Sequence, residues 1–278
     1  METICIAYGP WSAEIAPTLG GNLIRLDWNK RHVLRPLEGQ GQLQENPFTF
    51  GSPILLPANR TRGASFSFRG REYRLPLNEP QRNSHLHGLV HGGAFTVEQV
   101  GPSEATLALV NRGDFYPFPF RLTVRYCLES EQALAQYHVQ NTGAEPMVFT
   151  FGLHTTFMEP ESFFVPIVSA QERDENCLPT GRIIGLNHVE HACAAGTNPH
   201  GKVLSGYYLS GGNIAQVGDF RYQVSENFTH WILYNGGGHG GFLCVEPQCG
   251  GVDGLNLGDC PMLEPGQEIE FETSISHR

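Results

Sequence analysis

Three histidines, His85, His87 and His91, fall within residues 83–93 of a chain that has twelve in all. Imidazoles this close can do two kinds of chemistry. As neutral rings they can ligate zinc, iron or copper. As groups with an unperturbed pKa of about 6.5 they can carry a proton near neutrality. His85 and His87 are two residues apart, which on a strand puts both side chains on one face. A metal site built on such a pair also wants a carboxylate a few residues on. Positions 89–92 hold Leu89, Val90, His91 and Gly92, and the first acid after His87 is Glu98. No metal is therefore expected. Two further residues carry titratable side chains at the ends of apolar runs. Glu246 follows Phe242, Leu243, Cys244 and Val245, and His154 follows 149–153. A lone histidine in that setting is more often a satisfied core residue, and a glutamate before proline is often a surface one. Taken together, a carboxylate and an imidazole are also the materials of general acid–base catalysis.

The elements available to position them read as strands. The 33 glycines and 19 prolines are spread along the chain, with short runs of β-formers between them. In 133–139, Ala133, Ala135, Tyr137 and Val139 share one face of an alternating strand. Residues 66–75 read as a hairpin turning at 69–72. Further strands are expected at 97–110, 120–126, 147–151, 163–168, 219–224, 230–234, 241–246 and 268–274. Residues 41–46 allow about one turn of helix before Pro47, and few other windows support any. Many short strands with frequent turn signals predict an all-β sandwich or barrel. The glycine-rich 235–241 lacks the Lys-Ser/Thr of a phosphate loop and reads as a long turn. No repeat or composition break divides the chain, so 1–278 is expected to be a single domain.

The chain has 278 residues, enough for a large core, and a formal net charge of −10. That balance argues against nucleic acid. The seven cysteines form no CxxC pair and read as reduced thiols. No secretion signal or membrane-length apolar stretch is evident, so the expected setting is cytoplasmic, away from any membrane.

Read in order, the motifs form a set. Pro57-Ala58-Asn59-Arg60 precedes the hairpin. Asn78-Glu79 and then Leu86-His87-Gly88 follow it. Phe151-Gly152-Leu153-His154 comes next, then Leu178-Pro179-Thr180-Gly181. Glu246-Pro247-Gln248 stands near the end, followed by Leu263-Glu264-Pro265-Gly266. In this order and spacing the chain, from Gly51 onward, resembles the aldose 1-epimerase (galactose mutarotase-like) family. The resemblance implies an antiparallel supersandwich with a sugar-binding cleft on one sheet. It implies Glu246 as general base and His154 as general acid. Arg60 and His87 would contact the sugar, with Asn59 and Gln248 beside them, and no cofactor is needed. Arg60, His87, His154 and Glu246 should then line one concave cleft. His85 and His91 would be neighbours without a required role.

The implied reaction interconverts α and β anomers of a free aldose. A base takes the anomeric hydroxyl proton and an acid protonates the ring oxygen. The ring opens, the aldehyde turns about C1–C2, and the steps reverse. Assistance of this kind gives about 10²–10⁴-fold. The family usually carries a substrate-binding aspartate after the P-T-G segment, yet 191–218 contains no acid. A serine or tyrosine within 203–208 can supply hydrogen bonds there but no charge. Three alternatives follow. Arg60, Arg62, Arg69, Arg71, Arg74 and Arg82 would serve a hexose 6-phosphate, or merely decorate a solvated hairpin. A family member can bind sugar without turnover. A cupin-like metal enzyme would carry stoichiometric metal. The expected partner is a small sugar, and the sequence leaves the oligomeric state open.

Overall fold

A strand with one buried face alternates, and a strand buried on both faces does not. The computed structural model, which describes residues 2–278, contains both kinds. The strand Gln132–Asn141 buries Ala133, Ala135, Tyr137 and Val139 on one face, as its alternation predicts. The strand Phe242–Cys249 is buried at every position. Its Leu243, Val245 and Cys249 join the main core, while Cys244, Glu246 and Gln248 lie on the opposite face.

These two strands belong to separate eight-stranded antiparallel sheets. The first runs, in spatial order, Thr96–Val100, Glu104–Asn111, Phe120–Leu128, Gln132–Asn141, Glu268–His277, Phe220–Val224, Ile214–Val217 and Phe163–Phe164. The second runs Pro179–Ile184, Ile167–Arg173, Ser205–Ser210, His230–Tyr234, Phe242–Cys249, Phe151–Leu153 and Ile54–Leu55, with Thr156–Met158 also paired to Phe242–Cys249. A four-stranded sheet, Ile4–Tyr8 to Arg31–His32, and three short ribbons complete the β-structure. The two large sheets pack face to face. Phe151 of the second stacks on Phe271 of the first at 4.4 Å and meets Tyr137 at 5.7 Å. A polar thread crosses the same interface, from Ser52 to Thr155 (2.8 Å) to the Tyr222 hydroxyl (2.9 Å). The antiparallel sandwich expected from the sequence is therefore what the chain forms.

The elements also depart from expectation in places. The run 97–110 divides into Thr96–Val100 and Glu104–Asn111, turning at Gly101, Pro102 and Ser103. A helix at His188–Ala195 was not foreseen. Asn187 accepts hydrogen bonds from the Val189 and Glu190 amides, and Glu190 accepts one from the Asn187 amide. That reciprocal cap was visible as N-x-x-E, but the segment carries too little apolar periodicity to declare a helix. The short helix Gln40–Glu45 lies where one turn was expected. All seven cysteines are unpaired, and no helix of the described residues is long and apolar enough to cross a membrane.

Gly88 holds the Leu-His-Gly corner against the second sheet. Its φ is +67°, and a Cβ there would lie 2.0 Å from the Leu56 carbonyl oxygen. Gly181 has φ +88° but open space around it. Gly88→Ala should therefore cost about 2–4 kcal/mol, from left-handed strain plus a displaced backbone. Gly181→Ala should cost only about 1–2 kcal/mol. Urea unfolding of the two variants checks this, and equal losses would contradict it.

Candidate active site

The all-buried strand puts Glu246 at the centre of the second sheet. Across the sheet it stands in register with Ile232, and Ile232 with Tyr207. On the other side the strand Phe151–Leu153 ends at His154, whose amide donates to the Pro53 carbonyl at 2.9 Å. That pins the backbone where the imidazole turns toward Glu246. His154 Nε2 lies 3.3 Å from Glu246 Oε1, and both side chains are almost wholly buried. Above them opens a cleft of about 310 Å³, lined by Asn59, Arg60, His87, His154, Tyr207 and Glu246, with Phe48, Glu79, Arg82, Arg173 and Tyr234 around them.

A pair of left-handed residues builds the adjoining wall. Asn59 has φ +57° and His87 φ +62°. Asn59 satisfies this corner by accepting from the Arg60 amide through Oδ1 (3.1 Å) and from the His87 amide through its carbonyl (2.9 Å). His85 and His87 do not share a face. His85 lies in the strand Ser84–Leu86 and points away, its Nδ1 2.6 Å from the Pro76 carbonyl. The chain turns at His87, which faces the cleft instead. His91 does not line the cleft but meets the Phe48 ring at 4.7 Å.

Arg60 is held in a fork. Nε and Nη2 donate to Glu79 at 2.7 and 2.8 Å, and Nη1 donates to the Tyr207 hydroxyl at 2.8 Å. Burial works against its charge, but the Glu79 hydrogen bonds outweigh that and bind its proton more firmly than usual. Gln248 is fully buried and lies outside the cleft wall. Its amide donates to Glu246 Oε2 at 3.4 Å, and it accepts from Asn59 at 3.5 Å. Gln248 thus touches the Glu246 carboxyl rather than the cleft.

Burial sets the charges at the floor. It pushes Glu246 well above the usual carboxylate range, against opposing pulls from Gln248 and Arg60. It pulls His154 down to about 3. His87 is also depressed, by burial first and then by His154 and Arg60. The 3.3 Å contact has the length of an ion pair, but both shifts favour the neutral forms. Desolvation acts on both groups and outweighs the pull of Arg60 on Glu246. In those forms the pair holds a single proton on the carboxyl, beside a neutral imidazole. Cys244, two residues along the same strand face, brings its sulfur within 4.8 Å of the other two ligand atoms, so His154, Cys244 and Glu246 could chelate a soft divalent ion.

Several wall residues escaped the sequence reading. Glu79 was visible only as part of a motif, with nothing to show that it clamps Arg60. Phe48 packs on His87 at 4.6 Å and His154 at 5.9 Å, yet its sequence context is an ordinary Pro-Phe. Arg173 carried no such signal either, whereas Tyr207 lies in the 203–208 stretch expected to supply hydrogen bonds, and its hydroxyl accepts from Arg60.

The chain matches the aldose 1-epimerase family profile over residues 9–276. It therefore belongs to the aldose 1-epimerase family. It is 26% identical to the uncharacterized protein YihR of Escherichia coli K12, over 68% of this chain and 61% of that protein. It is 25% identical to the galactose mutarotase of Homo sapiens, over 87% of this chain and 82% of that one. A galactose mutarotase-like protein from Clostridium acetobutylicum superposes with a TM-score of 0.89 at 20% identity, covering 99% of this chain and 95% of that one. Its likeness shows the galactose mutarotase-like fold.

The raised Glu246 sets a sign for stability. A group whose folded pKa is raised contributes its stability below its unfolded value, about 4.3, and loses it as pH rises through the folded value. Glu246→Gln removes that loss. The variant should match the wild type below pH ~4 and exceed it by about 1–3 kcal/mol near pH 8. Thermal unfolding across that range measures the difference, and a variant less stable at pH 8 than at pH 4, relative to wild type, would refute it. His154 acts oppositely: its contribution is present above about 6.5 and falls away as pH drops toward about 3.

Proposed function

We propose that this chain is an aldose 1-epimerase acting on a free sugar, with Glu246 as base and His154 as acid. The observation that carries the reading is the buried 3.3 Å pair on the floor of a cleft of sugar size. The family's name and the human galactose mutarotase support the same reaction class.

The pair suits anomer exchange because the reaction moves one proton onto it and one proton off it. Glu246 takes the proton of the anomeric hydroxyl as His154 gives one to the ring oxygen. The ring opens to the aldehyde, with Glu246 protonated and His154 neutral. That is the form burial favours, so desolvation assists opening. After rotation about C1–C2, Glu246 returns its proton to the aldehyde oxygen and His154 recovers one from the C5 hydroxyl. A raised carboxyl is a stronger base and a depressed imidazole a stronger acid, so each shift suits its group's part. Arg60 sits close enough to draw Glu246 toward the ionised form that starts the cycle. His87 and Arg60 line the cleft, which supports their donating to sugar hydroxyls. Gln248, reached through Asn59, orients the Glu246 carboxyl rather than touching sugar. Phe48 offers a ring for the apolar face of the sugar. One core cluster runs through both large sheets, which supports reading 1–278 as one domain.

Anomer exchange of glucose, galactose and their 6-substituted forms, followed by NMR against the spontaneous rate, tests the assignment. Glu246→Gln and His154→Asn should each lower kcat by about 10²–10⁴-fold with little change in KM. A Glu246→Gln protein that keeps full activity would remove Glu246 from the mechanism. Phe48→Ala should instead raise KM, by roughly tenfold for the loss of one stacking face. An unchanged KM would show that the ring does not meet the sugar.

A further inference from the structure

The end of the cleft away from Glu246 is cationic in a chain of net charge −10. Six arginines clustered in the sequence, and the fold separates them. Arg69, Arg71 and Arg74 are exposed and pair with Glu264, Glu145 and Glu72. Arg62 pairs with Asp174 and Asp253. Only Arg60 and Arg82 line the cleft, and a third, Arg173, comes to it from a different sheet.

These three are not equally occupied. Glu79 serves both Arg60, at 2.7 Å, and Arg82, at 3.2 Å. Arg173 has no carboxylate within 4.0 Å among the described residues. Its Nη1 donates to the Ser205 hydroxyl at 3.1 Å, and its guanidinium carbon lies 5.4 Å from the centre of the Tyr207 ring. The acids on either side of it in sequence are used elsewhere: Glu172 pairs with Arg182 at 3.2 Å and Asp174 with Arg62 at 3.6 Å. Residues 191–218, which supply the strand beneath, contain no acid. A partly buried guanidinium with unused donors, lying over an aromatic ring at a cleft wall, is built to take an anion in bidentate fashion.

Its position fits the far end of a sugar. The strand Ile167–Arg173 lies three strands from Phe242–Cys249 in the sheet order, roughly 14 Å between backbones. Tyr207 stands between them, and the Arg173 side chain extends back over its ring. Arg173 therefore stands on the side of the cleft away from Glu246 and His154, within the same pocket as the anomeric end of a bound aldose.

We propose that the substrate of this cleft is an aldose bearing an anionic group on its distal carbon, held by Arg173 with Arg82 beside it. This rests on the anomer-exchange reading, which fixes where the anomeric end lies. Carboxylate, sulfonate and phosphate share the required chemistry. They differ in shape and charge, as a planar monoanion, a tetrahedral monoanion and a tetrahedral dianion.

Titration calorimetry separates the inference from the reading beneath it, because it needs no turnover. Glucose and galactose are each compared with their uronate, 6-sulfonate and 6-phosphate. At least one anionic form should bind tenfold or more tightly than its neutral parent, and added salt should weaken that advantage. Arg173→Gln should bring the ratio close to one, and Arg173→Lys, which keeps the charge but not the fork, should restore part of it. Anionic aldoses that bind no better than their parents overturn the inference, as does a ratio that survives in Arg173→Gln. An anionic preference without catalysed anomer exchange would uphold the anion site and reject the epimerase reading. Catalysed exchange with no anionic preference would do the reverse.

Discussion

A carboxyl and an imidazole buried against each other set the terms for the rest of this fold. Glu246 and His154 lie 3.3 Å apart with almost no solvent on either. Water would favour the ions, but the protein interior favours the neutral pair. Keeping two titratable groups in that state requires rigid support on every side. The strand Phe242–Cys249 is buried at all eight positions, and its other face is locked into the inter-sheet core. His154 is fixed by a backbone hydrogen bond to Pro53, and Glu246 by the Gln248 amide. The aromatic stack of Tyr137, Phe151 and Phe271 lies beneath the same region and makes the sheet a stiff platform.

The cleft is electrically divided. Its floor is buried, and burial favours the neutral forms of Glu246 and His154. Its wall carries guanidinium groups on Arg60, Arg82 and Arg173, with Glu79 occupied by the first two. Arg60 joins the two ends. It is clamped by Glu79 and Tyr207, and it is close enough to lower the cost of ionising Glu246. A sugar lying along this gradient would meet the proton carriers at one end and positive charge at the other. Specificity and chemistry would then belong to different parts of one pocket.

Much of this was legible in the sequence where a local signal existed. The alternation at 133–139 gave a strand and its buried face. The strand at 230–234 was read to the residue. The hairpin at 66–75 appears as Ser65–Phe68 paired with Arg71–Arg74. Arg60, His87, His154 and Glu246 were named from motifs, and all four reach the cleft. Long-range contacts left no such signal. The clamp of Glu79 on Arg60 spans 19 residues, and the contact of Arg60 with Tyr207 spans 147. The shared face of His85 and His87 failed because His87 lies beyond the strand in a left-handed conformation, which period-two counting does not foresee. Gln248 was placed with the sugar-facing residues and is fully covered beside Glu246 on the same strand face, a degree of burial that sequence does not carry.

The central claim is that Glu246 and His154 act as one unit through a shared proton. A double-mutant cycle on anomer exchange addresses it most directly, with Glu246→Gln, His154→Asn and the combined variant compared in kcat. Residues that act together lose their function together, so the double variant should be no slower than the worse single variant. Losses that multiply, each single variant removing its own independent share, would show two separate groups and contradict the coupled pair.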